Sequence, residues 1–169
     1  MPTRLTYFLS FLIITSLLLF SIYLEHYASV IPCPLCNLQR MTFCLLGILF
    51  FFATLLSGRM WKRLILNSLI SLTSILGMVL AGRQIWIQYY PTGPNNDCSA
   101  GLQYMLEMFP INEVIYKIFV EGGGECSRRG WELLGFSMAE WAFIWFTLFL
   151  LLSLCLFLQE IRNHHNGIK

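Results

Sequence analysis

The chain has 169 residues, of which 57% are hydrophobic and only 12% are charged, and its formal net charge is +2. This length corresponds to one domain, and the composition is too apolar for a water-soluble domain of that size. So small a net charge does not favour a nucleic-acid-binding protein. We therefore predict a single integral membrane domain over residues 1–169.

Four apolar stretches approach or reach the length that a helix needs to cross a bilayer. These spans cover residues of about 5–24, 38–57, 64–82 and 141–158. The first is long for the apolar core of a signal peptide and has no small-residue cleavage site after it, so we expect it to be retained. Short connections between the first three spans make them antiparallel neighbours. The sequence thus predicts an all-α, four-helix transmembrane bundle.

Basic residues are distributed unevenly between the segments outside the spans. Lys and Arg are denser in residues 1–4, 58–63 and 159–169 than in the loops of about 25–37 and 83–140. Because basic residues mark the cytoplasmic side of a membrane, both termini are predicted to be cytoplasmic. The two loops are then predicted to lie on the outer side, which is the periplasm if the protein is bacterial.

The loop of about residues 83–140 is the one long excursion from the bundle. Turn-forming residues at 91–96 are incompatible with continuing the third helix. Apolar residues then recur at helical spacing between Leu102 and Phe119, with charged residues among them. This pattern predicts a short helix that either lies along the membrane interface or packs on the outer end of the bundle. The glycines at 122–124 indicate a mobile segment or an ordinary turn before Cys126.

The six cysteines divide by location. Two lie within spans, Cys44 and Cys155, and are expected to be buried, inert packing residues. Four lie in the predicted outer loops, where an oxidising compartment would let them cycle through disulfides: Cys33, Cys36, Cys98 and Cys126. Four cysteines allow three pairings, and a static staple between the two in the second loop is one alternative. A zinc site is disfavoured because that second pair is widely spaced.

The Cys-x-x-Cys motif lies where the second span is expected to begin. Unpaired N–H groups and the helix dipole favour an anion at that position, so Cys36 is the better candidate for a reactive thiolate. Pro34 suits the first helical position because it has no N–H to satisfy. Cys33 is then expected to be the looser sulfur, facing outward.

Two arginines are candidates for binding a ligand beside this motif. Arg40 follows Cys36 by four residues, about one helical turn, so its guanidinium can stabilise the thiolate and donate hydrogen bonds to a ligand carbonyl. Alternatively, Arg40 is an arginine near a helix end whose side chain extends to the membrane–water interface. Arg83, at the outer end of the third span, is the second candidate.

These features resemble the DsbB family of bacterial inner-membrane proteins that generate disulfides. The resemblance covers nearly the whole chain, and it includes the four spans and PCPLCNLQR at residues 32–40. It also includes the second loop with Cys98 and Cys126, and the segment at 124–141 that leads to the last span. A Cys-x-x-Cys motif alone would be weak evidence, but the combination is specific.

The resemblance implies a multi-pass dithiol:quinone oxidoreductase that reoxidises a DsbA-like periplasmic oxidase of thioredoxin fold. Its electrons would pass to ubiquinone or menaquinone. By that resemblance the DsbA thiolate attacks a Cys98–Cys126 disulfide, Cys33 then exchanges with Cys126, and Cys36 contacts the quinone. Arg40 matches the family's quinone-site arginine. Some relatives have a histidine after the third span where this chain reads QYYP at 88–91, so no histidine role is carried over.

Two other protein classes share part of the pattern. Proteins like vitamin K epoxide reductase are also membrane bundles with a Cys-x-x-Cys motif, but their motif belongs to a late span, whereas this one opens the second. A structural protein such as a tetraspanin would have a disulfide-stapled loop. This chain lacks the tetraspanin Cys-Cys-Gly signature, and its loop is small.

Overall fold

A computed structural model of the protein describes residues 2–27, 33–56, 60–90, 107–116 and 132–167. In chain order its elements are α1 (Pro2–Tyr27), α2 (Pro34–Leu55), α3 (Met60–Tyr89), α4 (Ile111–Tyr116), β1 (Glu132–Leu133), β2 (Phe136–Ser137) and α5 (Met138–Gly167). Four helices, α1, α2, α3 and α5, are long and apolar enough to cross a membrane. The predicted all-α, four-helix transmembrane bundle is confirmed. Helices α1, α3 and α5 each extend beyond a predicted span at both ends, whereas α2 begins at Pro34, before its predicted span, and ends at Leu55, two residues before the predicted end.

Part of the predicted outer loop lies outside the described residues. This applies to Cys98, Cys126, the turn at 91–96 and the glycines at 122–124. The described part contains α4, which confirms a short helix within the loop. Its position along the membrane interface stays a prediction.

The N-terminus of α2 is built by the cysteine motif itself. Cys33 is the N-cap residue, with extended backbone angles of φ −69° and ψ 162°, and Pro34 opens the helix as predicted. The backbone N–H of Cys36 donates to the Cys33 sulfur at 3.3 Å. One of the unpaired N–H groups of the first turn is therefore satisfied by a thiol, in the way that a serine or aspartate cap usually does.

Helix α5 begins at Met138, three residues before the predicted span, because a capping box stabilises its first turn. The backbone N–H of Ser137 donates to Glu140 Oε2 at 2.6 Å, and the N–H of Glu140 donates back to Ser137 Oγ at 3.4 Å. Tyr89 OH also donates to Glu140 Oε1 at 3.0 Å, which ties this turn to the end of α3.

A small β-hairpin that the sequence does not predict leads directly into α5. Strands β1 and β2 are antiparallel, with Glu132 opposite Ser137. The two-residue turn between them has Leu134 at φ 55° and Gly135 at φ 81°, as a type I′ turn requires. The indole Nε1 of Trp141 donates to the Leu133 carbonyl at 3.1 Å and holds the hairpin against the helix.

Neighbouring long helices pack antiparallel, α1 on α2, α2 on α3 and α3 on α5. The core between them is aromatic and aliphatic, and its largest fully buried members are Tyr7, Phe50, Phe146, Ile14, Leu46 and Ile70. Helices α3 and α5 approach closely at Gly77, where an added Cβ would lie 2.3 Å from the ring of Phe146. A glycine is needed there because the ring occupies the side-chain position.

Polar side chains inside the bundle bind one another at the end away from the cysteines. Tyr7 OH donates to Asn67 Oδ1 at 3.0 Å, and Arg63 Nη1 lies 3.1 Å from Glu160 Oε1. These pairs bring the start of α1, the start of α3 and the end of α5 to the same end of the bundle. Pairing is what makes such groups tolerable within a membrane-spanning fold.

The expectation that Cys44 and Cys155 are buried packing residues is wrong. Both side chains are exposed on the outside of the bundle. Helix α2 buries Phe43 and Leu46, and successive helical residues are about 100° apart, so Cys44 points away from the core. The outward surface around such positions is apolar, with Leu72 64% exposed, as expected for contact with lipid.

Candidate functional site: a dithiol at the start of a membrane span

The two sulfurs of the Cys-x-x-Cys motif face each other at the start of α2. Cys33 Sγ donates to Cys36 Sγ over 3.1 Å. Both cysteines are free in this structure, with the sulfurs already close. Cys36 accepts the bond, which is the arrangement that favours a thiolate at Cys36 and a thiol at Cys33.

The expectation that Cys33 is the looser, outward-facing sulfur is wrong. Cys33 is only 4% exposed, whereas Cys36 is partly exposed. Its role as N-cap turns the Cys33 sulfur back over the first turn of α2. There it belongs to an apolar cluster with Leu35 of α2 and Leu80 and Ile87 of α3, and Phe109 packs against the cluster from the loop before α4.

Two glutamines form a hydrogen-bonded chain that ends on the Cys36 sulfur. Gln84 of α3 donates from Nε2 to Cys36 Sγ at 3.1 Å. Gln39 of α2 donates from Nε2 to Gln84 Oε1 at 2.7 Å. Both side chains are buried, with Gln39 5% and Gln84 3% exposed.

The sequence predictions do not include either glutamine, although two signals point to them. Polar side chains inside apolar spans are costly unless they bind something, so Gln39 and Gln84 stand out against their neighbours. Gln39 also follows Cys36 by three residues, which places both on one side of α2. The partner on α3 is separated by 48 residues in sequence and is brought to the sulfur only by helix packing.

Arg40 lies one turn beyond Cys36 and binds the end of α1. Its guanidinium forms an ion pair with Glu25, donates from Nε to Ser21 Oγ at 2.8 Å, and donates from Nη2 to the Ser21 carbonyl at 3.3 Å. These bonds use three of its five N–H groups. The side chain is 24% exposed.

The other predicted site residues lie either next to Gln84 in α3 or outside the described residues. Arg83 is partly buried and directly precedes Gln84 in α3, so its side chain leaves the helix in a direction about 100° away from that of Gln84. Cys98 and Cys126 lie outside the described residues. The ligand-binding roles of Arg40 and Arg83 and the redox roles of the four cysteines stay predictions.

The geometry suits nucleophilic sulfur chemistry at a membrane boundary. Cys36 combines the N-terminus of a long apolar helix, two side-chain donors on its sulfur and partial exposure. Each of these features stabilises or presents a thiolate. Exposed Trp86 and Tyr90 lie on the same end of α3, as is typical of residues at a membrane interface.

Comparison with known proteins identifies the family. Residues 3–156 match the family model described as Disulfide bond formation protein DsbB. The chain belongs to the DsbB family. It is 39% identical over 148 residues to disulfide bond formation protein B of Azoarcus sp. (strain BH72), covering 87% of this chain and 88% of that protein. It is 33% identical over 160 residues to the protein of the same name from Marinobacter nauticus, covering 95% of each chain.

A third relative, disulfide bond formation protein B of Hahella chejuensis, is 39% identical over 150 residues and covers 87% of this chain and 90% of its own length. The predicted resemblance is therefore confirmed. Membership in the DsbB family gives the chain a role in disulfide bond formation, as a multi-pass membrane protein of the oxidoreductase class. This family membership takes the place of the two alternative protein classes, the epoxide-reductase-like and the tetraspanin-like proteins.

Proposed function

We propose that this DsbB-family chain is a dithiol:quinone oxidoreductase that reoxidises a DsbA-like periplasmic thiol oxidase. The electrons pass to a membrane quinone, ubiquinone or menaquinone. The observation that carries the proposal is the dithiol of Cys33 and Cys36 at the first turn of a membrane-spanning helix, with the Cys36 sulfur accepting two side-chain hydrogen bonds. A sulfur placed there can meet a periplasmic protein on one side and a lipid-soluble acceptor on the other.

The first half of the proposed reaction is thiol–disulfide exchange. A thiolate of the reduced partner attacks the Cys98–Cys126 disulfide at Cys98, giving a mixed disulfide and releasing the Cys126 thiolate. The Cys126 thiolate then attacks Cys33 of a Cys33–Cys36 disulfide, which forms a Cys33–Cys126 disulfide and releases Cys36 as the thiolate. Oxidation of one partner dithiol releases two electrons and two protons in total, and these have to leave through Cys36.

A strong electron acceptor is required because DsbA-type oxidases are themselves strongly oxidising, at about −120 mV. For a two-electron couple about 30 mV corresponds to about 1.4 kcal/mol, so a disulfide of ordinary structural stability, below about −300 mV, cannot oxidise such a partner. A quinone in the bilayer supplies a two-electron, two-proton acceptor.

The residues beside the motif fit a quinone. Cys36 is partly exposed at the start of a span, and Arg40 retains N–H groups beyond those bound to Ser21 and Glu25. Arg40 would donate to a carbonyl oxygen of the acceptor and offset negative charge there. Arg83 is the second candidate for that contact. Cys36 would supply the electron pair from its thiolate.

We further propose that the protein resides in the bacterial inner membrane, with both termini in the cytoplasm and the four loop cysteines in the periplasm. The denser Lys and Arg content of residues 1–4, 58–63 and 159–169 supports this orientation. A membrane-impermeant maleimide added to intact spheroplasts tests it, because it should label the dithiol end and not a cysteine introduced near Arg162.

The activity is tested by mixing the purified protein with reduced DsbA and a water-soluble quinone and following quinone absorbance. We expect catalytic loss of oxidised quinone that is abolished in Cys36→Ser and slowed in Arg40→Ala. The matched controls are Cys44→Ser and Cys155→Ser, which remove exposed cysteines far from the motif and should leave turnover unchanged. Unchanged turnover in Cys36→Ser would refute the proposed mechanism.

A further inference from the structure

We propose that Gln84 is a catalytic hydrogen-bond donor to the reacting Cys36 sulfur and that Gln39 is a positioning residue that acts through Gln84. This inference rests on the proposed function, in which Cys36 reacts as a thiolate. The pair would keep one N–H group directed at that sulfur throughout the reaction.

The hydrogen-bond chain fixes which end of the Gln84 amide meets the sulfur. A glutamine amide has two donor hydrogens on its nitrogen and an acceptor oxygen. Gln39 Nε2 donates to Gln84 Oε1 at 2.7 Å, so the opposite end, Nε2, is turned to Cys36 Sγ at 3.1 Å. In the reversed orientation the Gln84 nitrogen would meet the Gln39 nitrogen, two donors facing each other, and its oxygen would face a thiolate. With Gln39 donating, the orientation of Gln84 that satisfies both amides is the one that stabilises an anion.

Burial makes this one donor important. Gln39 and Gln84 are 5% and 3% exposed, so water does not compete for their hydrogen bonds. A hydrogen bond to an ionised acceptor in such surroundings is stronger than one between neutral groups. Burying two amides at the ends of membrane-spanning helices costs free energy unless both form hydrogen bonds. Here Gln39 donates to Gln84, and Gln84 donates to Cys36.

The Gln84 hydrogen bond matters most at the stage when Cys33 can no longer donate to the Cys36 sulfur. In the dithiol, the Cys33 thiol also donates to Cys36. When the Cys126 thiolate attacks Cys33 of a Cys33–Cys36 disulfide, Cys33 passes into a disulfide with Cys126 and has no S–H left to donate. Among the described residues Gln84 is then the side chain that still donates to the Cys36 sulfur. That is the stage at which the proposed reaction requires Cys36 to carry a charge.

The charges around the sulfur do not replace this bond. Arg40, on the same helix as Cys36, is paired with Glu25 of α1, which offsets part of its charge. Helix α3 presents the neutral Gln84 to the sulfur, with Arg83 next to it in sequence, and the loop before α4 contributes the apolar Phe109. A local neutral donor and the first turn of α2 are thus the main features that hold an anion at Cys36.

The test is the pH dependence of Cys36 alkylation by iodoacetamide in the purified, reduced, full-length protein, followed by mass spectrometry of the Cys36 peptide. Only the thiolate reacts, so the midpoint of the profile reports its formation. We expect Gln84→Leu to move the midpoint upward by about one pH unit, which corresponds to about 1.4 kcal/mol. Gln39→Leu should move it in the same direction by less. In the Gln84→Leu background, Gln39→Leu should add no further shift, because Gln39 acts through Gln84.

Gln88→Leu is the matched control. Gln88 lies one turn further along α3 and accepts a hydrogen bond from Ser137 Oγ at 2.9 Å, so it should leave the midpoint in place. If Gln84→Leu does not fold, Gln84→Met removes the same donor with a shape closer to glutamine. A wild-type midpoint in a folded Gln84 variant overturns the proposal, as does an equal shift in Gln88→Leu.

The readout separates this inference from the proposed function because alkylation involves neither the partner protein nor a quinone. Quinone turnover by the wild-type chain with an unshifted midpoint in the Gln84 variants overturns the role of Gln84 alone. A shifted midpoint without quinone turnover by the wild-type chain overturns the proposed function and leaves the Gln84 bond to the thiolate supported.

Discussion

The contact between Gly77 of α3 and Phe146 of α5 gives a quantitative stability prediction for Gly77→Ala. The added Cβ would lie 2.3 Å from Phe146 Cε1, with two more ring atoms at 2.4 and 2.5 Å. The ring would have to withdraw by roughly 1 Å to restore an ordinary carbon–carbon contact. It has little room, because Phe146 is fully buried and stacks on Phe43 with the ring centroids 4.1 Å apart.

Two opposing effects set the magnitude. Forcing an extra methyl group into a packed core costs about 1–3 kcal/mol. Replacing a glycine inside a helix by alanine returns roughly 0.5–1 kcal/mol. The net result is a destabilisation of about 1–2 kcal/mol. In a chain of this length each kcal/mol corresponds to about 2–4 °C, so Tm should fall by about 2–8 °C.

The assay is thermal unfolding of the purified protein in detergent, followed by the loss of helical circular dichroism. Gly82→Ala is the matched control, because it makes the same substitution in the same helix, where the nearest atom to an added Cβ is Phe143 Cε2 at 3.7 Å. That variant should keep or slightly raise Tm. A Gly77→Ala protein that unfolds at or above the wild-type temperature would show that the ring yields at little cost, and the packing argument would be wrong.

Two further changes test the cover over the dithiol and the start of α5. Phe109→Ala should raise the rate at which a maleimide labels Cys33 several-fold, because that ring packs against the cluster containing the 4%-exposed sulfur. The control is Met108→Ala, at a neighbouring position that is 63% exposed, which should not change the labelling rate. Equal labelling rates in the two variants would contradict a protective role of Phe109. Ser137→Ala removes the capping hydroxyl of α5 at a cost of about 1 kcal/mol and should lower Tm by about 2–4 °C. Ser68→Ala, at an exposed position of α3, should leave Tm unchanged, and an equal loss in both serine variants would count against the cap.

Much of the fold is predictable from this sequence because membrane spans leave a strong local signal. Long apolar stretches without charge identify the four helices, and the prolines at 34 and 91 predict where α2 begins and where α3 has to end. The start of α5 is missed by three residues because the Ser137 and Glu140 cap is polar and lies outside the apolar stretch. The hairpin before it is missed because strands of two residues carry no readable alternation.

The candidate site is only partly predictable, for a physical reason. Cys36 and Arg40 can be placed near each other because they are one turn apart on one helix. The Gln84 contact depends on how α3 packs against α2, and local spacing carries no information about that. The burial of Cys33 likewise depends on tertiary packing, since its cluster includes Leu80 and Ile87 of α3. Sequence spacing therefore predicts the reactive motif, and tertiary packing decides its surroundings.

The apolar cluster around Cys33 has a consequence for unwanted reduction of the site by small thiols. A sulfur that is 4% exposed, in an apolar cluster against which Phe109 packs, is shielded from reductants in bulk water. When Cys33 and Cys36 are joined in a disulfide, such shielding slows the reduction of that bond by small thiols other than the partner protein.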